Sequence, residues 1–241
     1  METKTRAIVL RTLKYGESQL IIDLLTEQQG RLSFIQHIGK TPKARVKKQL
    51  FQPLTLLDVV FDYRPKSNLQ HMRDVRIAIP FTSIPLNPIK LSISFFLAEF
   101  IYYSTRDEQQ NTPLYRYCET GIRWLDGAQN NFSNFHLVFM MRLSRFIGFY
   151  PNLNDYSEGC YFDLRAAAFI VGQPLHPDFL PPDEAAHITT LMRMDYETMH
   201  LFTLSREERN RITDRLVAYY RHHVPGFPEL RSLDVLRETA R

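Results

Sequence analysis

Five cations lie within nine residues of this sequence, at Lys40, Lys43, Arg45, Lys47 and Lys48. Like charges at such short spacing repel one another, so a fold tolerates them best when a polyanion or open water lies opposite. A solvated loop leading into a surface helix is the alternative interpretation. We interpret this basic segment as a candidate site for the phosphates of a nucleic acid.

The sequence lacks the motifs of the common catalytic and nucleotide-binding sites. Gly39-Lys40-Thr41 resembles part of a phosphate-binding loop, but that motif needs a glycine where Phe34 stands. There is no Gly-x-Ser-x-Gly elbow, no His-Glu-x-x-His and no set of Cys and His with metal-ligand spacing. The pattern therefore favours a binding protein over an enzyme, with no cofactor.

Charge is distributed unevenly along the 241 residues. Residues 1–80 contain 14 Lys and Arg against 7 Asp and Glu, and the rest of the chain contains 16 against 19, so the two parts carry net charges of +7 and −3. A basic part on a slightly acidic body predicts a localised anionic partner. The chain length and a hydrophobic content of 44% favour two modest domains, each with a buried core.

The two cysteines, Cys118 and Cys160, are too few for a disulfide framework or a four-thiolate zinc site. They are typical of buried thiols in a reducing compartment. No signal peptide precedes the first predicted strand, and the most apolar segment, residues 95–101, is short and contains Glu99. We therefore expect a cytoplasmic protein without a membrane partner.

Five segments near the amino-terminus are rich in β-forming residues and separated by turn-forming ones. The predicted strands cover residues 5–14, 20–26, 31–38, 54–61 and 69–79. The first three form a meander, and the basic segment lies between the third and the fourth. This is the plan of an OB-fold, a small β-barrel that holds single-stranded nucleic acid, although small sandwiches and other barrels share the strand count.

Three prolines, Pro80, Pro85 and Pro88, mark a change in hydrophobic periodicity from about 2 to about 3.6. We therefore predict an α+β multidomain chain: an OB-fold β-barrel domain over residues 1–80, then an all-α helical domain over 81–241 with a loop-rich insert at about 151–182.

Within the second domain, apolar spacing and end signals predict five helices. They cover residues 89–104, 113–124, 134–149 with Gly148 as its end, a segment opening at 181–184, and 205–222 with a Ser205/Glu208 capping box. The insert is predicted to hold a short hairpin within 161–171, and the tail from 224 to 241 to be partly ordered at best.

Further candidate DNA contacts lie on the predicted strands and turns. The cations of this second rank are Arg11, Lys14, Arg31, Arg64 and Lys66. Such contacts would bind phosphates and carry little sequence information. Among the aromatic residues, Phe34 and Phe51 are expected in the barrel core, whereas Tyr63, in a polar turn, is expected to be exposed and able to stack on a base.

Several motifs, taken in order and with their spacing, resemble the RecO family of bacterial recombination mediators. They are Ala7-Ile8-Val9-Leu10-Arg11, Tyr15-Gly16-Glu17-Ser18, Leu24-Leu25-Thr26, Gly30-Arg31, Gly39-Lys40, Gln52-Pro53-Leu54, Ile147-Gly148-Phe149-Tyr150-Pro151 and Leu230-Arg231-Ser232-Leu233. The resemblance covers most of the chain. It implies an OB-fold joined to a helical domain, binding of single- and double-stranded DNA, and a nucleoid-associated location. It further implies annealing of complementary strands coated by single-strand-binding protein (SSB) and action with RecR to load RecA in recombinational repair of DNA damage.

The sequence departs from that family pattern in the insert. Many members carry a four-cysteine zinc element there, whereas this chain has only Cys160, so we predict no zinc and expect Tyr156, Tyr161 and Phe162 to hold the insert by aromatic packing. The family also binds the acidic, apolar-ended tail of SSB in its helical domain, for which we assign Arg142 and Arg145 as candidates.

Three other classes of function remain open. Composition and charge do not distinguish RNA from DNA, so an RNA-binding OB-fold protein is one alternative. A protein-only adaptor is a second, and salt-insensitive partner binding would favour it. A hydrolase is a third, weaker alternative.

Overall fold

Five β-strands at the amino-terminus close into a small barrel. The computed structural model describes residues 2–37, 49–106 and 109–239. The strands are β1 (Glu2–Tyr15), β2 (Gln19–Thr26), β3 (Gly30–His37), β4 (Leu56–Asp62) and β5 (Gln70–Ile79). They pair in the closed order β1-β2-β3-β5-β4, with β3 parallel to β5 and the other pairs antiparallel. This is the topology of an OB-fold, and it confirms the predicted fold class.

The barrel core follows from the period-two pattern of β2 and β3. Leu20, Ile22 and Leu24 alternate along β2 and are all buried inside the barrel. Phe34 of β3 is fully buried and meets Phe61 edge to face, with ring centroids 5.1 Å apart. Such a pair stabilises the core beyond the area it buries.

A β-bulge at Leu10 changes which side chains of β1 face outward. The pairing of β1 with β2 shifts register between Val9 and Arg11. Before the bulge, Val9 belongs to the barrel core; after it, Arg11 lies opposite Asp23 and forms an ion pair with it. A bulge re-aims the residues that follow it, and here it places a guanidinium group on the outside of the barrel.

Six α-helices follow within the described residues. They are α1 (Pro88–Ser104), α2 (Thr112–Gly127), α3 (Phe135–Leu143), α4 (Pro182–Arg193), α5 (Arg206–His223) and α6 (Ser232–Thr239). α1 begins with Pro88, and the side chain of Asn87 accepts hydrogen bonds from the backbone N–H groups of Ile89 and Lys90 at 3.0 and 3.2 Å. Across the part of the chain that the structure describes, no helix combines the length and apolar character needed to cross a membrane.

The chain forms two compact units. The first contains the barrel, α1, α2 and α6, and the second contains residues 128–229. The change from strands to helices falls between Ile79 and Pro88. A domain boundary after residue 80 remains our proposal for where the barrel domain ends.

The insert in the second unit contains a small antiparallel sheet. Its strands are β6 (Tyr161–Asp163), β7 (Ala168–Ile170) and β8 (Phe179–Leu180), in the order β7-β6-β8. The predicted hairpin is β6 and β7. The predicted aromatic packing is also confirmed, because Tyr156 and Phe162 both contact the ring of Phe169, and Tyr161 contacts Phe179 at a centroid distance of 5.5 Å.

Two predictions for the helices need correction. The helix expected to reach residue 149 ends at Leu143, and turns lead from there to Gly148, which has φ +95. The tail expected to be partly ordered forms α6, which packs on α1 and buries Leu236. The carboxylate of Glu99 explains this second difference, because it accepts hydrogen bonds from the backbone N–H groups of Arg231 and Ser232, at 3.2 and 2.8 Å, and so caps α6 from another helix.

The core of the second unit contains a histidine whose protonation opposes folding. His136 is fully buried in α3, and one of its ring nitrogens lies 3.1 Å from the hydroxyl oxygen of Thr213. Burial, assisted by the positive charge of Arg209, lowers the pKa of His136 to about 3 from an ordinary value of 6.5.

We therefore expect acid to destabilise the protein through His136. In the unfolded chain His136 binds a proton near pH 6.5, whereas in the folded chain it does so only near pH 3. Protonation therefore favours the unfolded chain: the full free energy of unfolding is present above pH 6.5 and is lost as the pH falls toward 3. Between these two pH values, His136 lowers the free energy of unfolding by about 1.4 kcal/mol for each unit that the pH falls. The free energy of unfolding can be measured with urea at several values between pH 7 and 4. Its dependence on pH should be less steep for His136→Gln than for wild type, by the equivalent of one bound proton. The exposed His200→Gln is the control, and an unchanged slope in His136→Gln would contradict the assignment.

Candidate nucleic-acid interface

Strand β3 has a turn of the barrel beside each of its two halves. Gln19, at the start of β2, pairs with His37 at the end of β3, so the β1–β2 turn lies beside the carboxyl end of β3. Phe34 pairs in parallel with Gln70, the first residue of β5, so the β4–β5 turn, which precedes Gln70, lies toward the amino end of β3. The basic segment continues the chain directly after β3. In an OB-fold these two turns flank the surface that binds oligonucleotides.

The β4–β5 turn is held in shape from inside. Gln70 is buried, and its side-chain oxygen accepts a hydrogen bond from the backbone N–H of Arg64 at 3.0 Å. Its side-chain nitrogen donates to the backbone oxygens of Arg64 and Ser67, both at 2.9 Å. The turn is thus preorganised, which reduces the entropy lost when its exposed side chains bind a partner.

Three of the predicted DNA-contacting cations are available in these two turns or next to them. Lys14, Arg64 and Lys66 are all exposed, and none forms an ion pair with any residue that the structure describes. Exposed cations without an internal carboxylate partner can neutralise phosphates at little cost. We refer to these three residues as the free cations.

The outer face of β1, β4 and β5 has a different electrostatic character. Its cations are paired across the strands: Arg73 with Glu2 at 3.3 Å and Asp62 at 2.6 Å, and Arg76 with Asp58 at 3.1 Å. These carboxylates would repel a phosphate backbone. The charges therefore favour the surface formed by β3 and these two turns, which we call the β3 surface, over this face.

Two further predicted cations, Arg11 and Arg31, belong to an internal cluster around Tyr102 of α1. Their guanidinium carbons lie 4.1 and 3.8 Å from the centre of the Tyr102 ring. Arg11 also pairs with Asp23 at 2.8 Å, and Arg31 donates to the backbone oxygen of Tyr102 at 2.7 Å. Both arginines therefore have a structural role in holding α1 to the barrel.

The aromatic residues of the barrel fall into two groups, those buried in the core and those at least partly exposed. Phe34 and Phe51 lie in the core, as predicted. Tyr63 is half-buried and packs edge to face on Phe61, with ring centroids 6.2 Å apart, so it offers less surface to a base than its polar turn suggested. Tyr15, which our prediction omitted, is 55% exposed beside the β1–β2 turn. The adjacent Gly16 was the sequence signal that placed Tyr15 next to a turn.

The five cations of the basic segment, Lys40, Lys43, Arg45, Lys47 and Lys48, lie outside the described residues. Their assignment as phosphate contacts remains a prediction from the sequence.

In the second unit, the two predicted SSB-tail residues have different environments. Arg142 donates two hydrogen bonds, from Nε and Nη2, to the backbone oxygen of Met194 at 3.0 and 2.7 Å. Met194 is the residue at the carboxyl end of α4, where a cation is favoured. Arg145 is exposed. Arg142 is therefore engaged in the fold, and Arg145 is the more accessible of the two.

The described residues show no grouping of three His, Cys, Asp or Glu side chains that could hold a metal ion. Cys118 and Cys160 are buried free thiols, and burial raises the pKa of the Cys118 thiol. A thiol with a raised pKa is a weak nucleophile at neutral pH.

Comparison with known proteins identifies the family. The model described as "Recombination protein O N terminal" matches residues 1–81, and the one described as "Recombination protein O C terminal" matches residues 85–234. A DNA repair protein RecO of Phocaeicola vulgatus is 52% identical over 238 residues, which cover 99% of each chain. The proteins of the same name from Bacteroides fragilis and Flavobacterium psychrophilum are 49% and 32% identical, again over 99% of each chain. Since both family models and full-length relatives match a chain that begins with an OB-fold barrel, this protein belongs to the RecO family of DNA repair and recombination proteins.

Proposed function

We propose that this protein binds single- and double-stranded DNA, anneals complementary strands coated by SSB, and acts with RecR to load RecA during recombinational repair. The observation that carries the proposal is the β3 surface, which is bordered by two turns that have the free cations in them or next to them. The family membership supports DNA over RNA as the ligand, because the relatives are named as DNA repair proteins.

The proposed mechanism is electrostatic and needs no chemical step. Two complementary strands repel each other through their phosphates, and a cationic surface that holds both lowers this repulsion and raises their local concentration. Nucleotide hydrolysis is not required, which agrees with a sequence that lacks a phosphate-binding loop. We infer that the protein acts as a mediator rather than an enzyme, in the cytoplasm at the nucleoid.

A contact with SSB belongs to the same proposal. SSB would present its acidic tail to the second unit, with Arg145 as the accessible candidate cation and Arg142 fixed beside the end of α4. Pull-down of wild type and Arg145→Glu with an SSB-tail peptide tests this assignment.

Annealing of SSB-coated complementary oligonucleotides tests the function itself. The variant replaces Lys40, Lys43, Arg45, Lys47 and Lys48 by Ala, after circular dichroism has shown that it is folded. We expect wild type to anneal and the variant to fail, with a salt slope of binding smaller by about 3.5, because each phosphate contact to a single strand contributes about 0.7.

The other outcomes decide between the alternatives. Equal annealing by both proteins would place the DNA on another face. Failure of both, together with salt-insensitive binding to a protein partner, would favour the adaptor. Stronger binding to structured RNA than to single-stranded DNA of equal length would favour the RNA-binding alternative.

A further inference from the structure

A cleft of about 460 Å³ lies between β1, α1 and α6 in the first unit. Its floor comes from one face of α1, where residues three, four and seven positions apart align: Phe95, Glu99 and Tyr102. Arg11 of β1 lines one side, and Arg231, next to the start of α6, lines another. A cleft of this volume is within the range that binds small ligands.

The walls are mainly aromatic and apolar. Phe95 is 38% exposed, which is unusual for a phenylalanine on a helix that is otherwise largely buried. Tyr103 stands edge to face against Tyr102, with ring centroids 4.9 Å apart. Arg11 and Arg31 both lie over the Tyr102 ring, so the exposed ring of Phe95 is better placed than that of Tyr102 to accept a stacked partner.

The charges around the cleft favour an anion. The guanidinium of Arg231 forms no ion pair with the described residues. Of the described residues that line the cleft, Glu99 is the acidic one, and its two oxygens already accept hydrogen bonds from Arg231 and Ser232, including one of 2.5 Å from the Ser232 hydroxyl. A carboxylate engaged in this way opposes an incoming phosphate less than a free one does.

We propose that this cleft takes one nucleotide of a bound single strand, with its base against Phe95 and its phosphate at Arg231. The inference rests on the proposed DNA binding and extends it to a second position. Arg11 connects the two sites, since it lies in the cleft and only three residues, or about 10 Å, before Lys14 on β1. A planar base suits the aromatic wall, and stacking of this kind tolerates any base.

The test compares an oligo(dT) with an oligonucleotide of the same length whose residues are all abasic, using fluorescence anisotropy. We expect Phe95→Ala to weaken oligo(dT) binding about tenfold and to leave abasic binding unchanged. Arg231→Gln should lower the salt slope by about 0.7 for both ligands. Leu86→Ala, at a position 83% exposed and outside the cleft, is the matched control and should change neither.

The failures of the two proposals differ. If wild type binds neither oligonucleotide, the proposed function itself is wrong. If wild type binds oligo(dT) with a steep salt slope and Phe95→Ala binds it equally well, only the cleft inference is overturned, and a protein segment becomes the better occupant. Equal weakening of both ligands by a folded Phe95→Ala would also overturn it, because the effect would then not come from the base.

Discussion

Gly30→Ala is expected to lower the free energy of unfolding by about 2–5 kcal/mol. Gly30 joins β2 to β3 with φ +67, a left-handed conformation that costs other residues about 1–2 kcal/mol. A Cβ there would lie 2.7 Å from the backbone carbon and oxygen of Gln109. Backbone atoms cannot rotate away as a side chain does, and relieving such overpacking adds about 1–3 kcal/mol.

Gly16→Ala is the matched control for this prediction. Gly16 also has a positive φ, +63, but apart from its chain neighbours no atom of the described residues lies within 4 Å of the position its Cβ would occupy. Its cost should be about 1 kcal/mol, because only the backbone conformation opposes it. Urea unfolding of both variants measures the difference. Equal losses of stability would mean that the contact with Gln109 does not constrain the barrel.

The second large effect is expected on DNA binding when the free cations are removed. The triple variant Lys14→Gln, Arg64→Gln, Lys66→Gln should lose about two units of the salt slope for single-stranded DNA, at about 0.7 for each phosphate contact. At 0.1 M salt this corresponds to a loss of affinity on the order of a hundredfold. All three side chains are exposed, so the fold should be unaffected.

A second triple variant separates the position of the charge from its amount. Lys4→Gln, Arg73→Gln, Arg76→Gln also removes three positive charges, but from the face where each is paired with a carboxylate. We expect this control to keep most of the wild-type slope. If the two variants lose affinity equally, the DNA responds to net charge and the β3 surface is not a distinct site.

Much of the barrel could be predicted from the sequence because its signals are local. The apolar alternation of Leu20, Ile22 and Leu24 specifies which face of β2 is buried. The capping box of α5 is equally local: Ser205 and Glu208 are three residues apart, and each accepts a backbone hydrogen bond from the other, at 3.2 and 2.7 Å. Interactions between residues that are close in the sequence can be predicted without knowledge of the tertiary structure.

The free cations were also named from the sequence, and for Arg64 and Lys66 the reason is that a polar turn keeps its side chains exposed. The sequence could not show that Arg11 and Arg31 would differ from them. Their positions depend on the bulge at Leu10 and on the approach of Tyr102, which is 71 residues from Arg31 along the chain. Only the packed structure determines whether a cation meets an aromatic ring or solvent.

The sequence by itself determined the five strands of the barrel, five of the six described helices, the basic character of the first 80 residues and the motifs of the family. The tertiary structure decided which of these residues are available to a ligand. It placed Glu99 against the start of α6, 133 residues away from Ser232, and so ordered a tail whose own composition predicted little structure. The physical reason is that local propensity acts over a few residues, whereas burial, capping in trans and ion pairing depend on which distant segments the fold brings into contact.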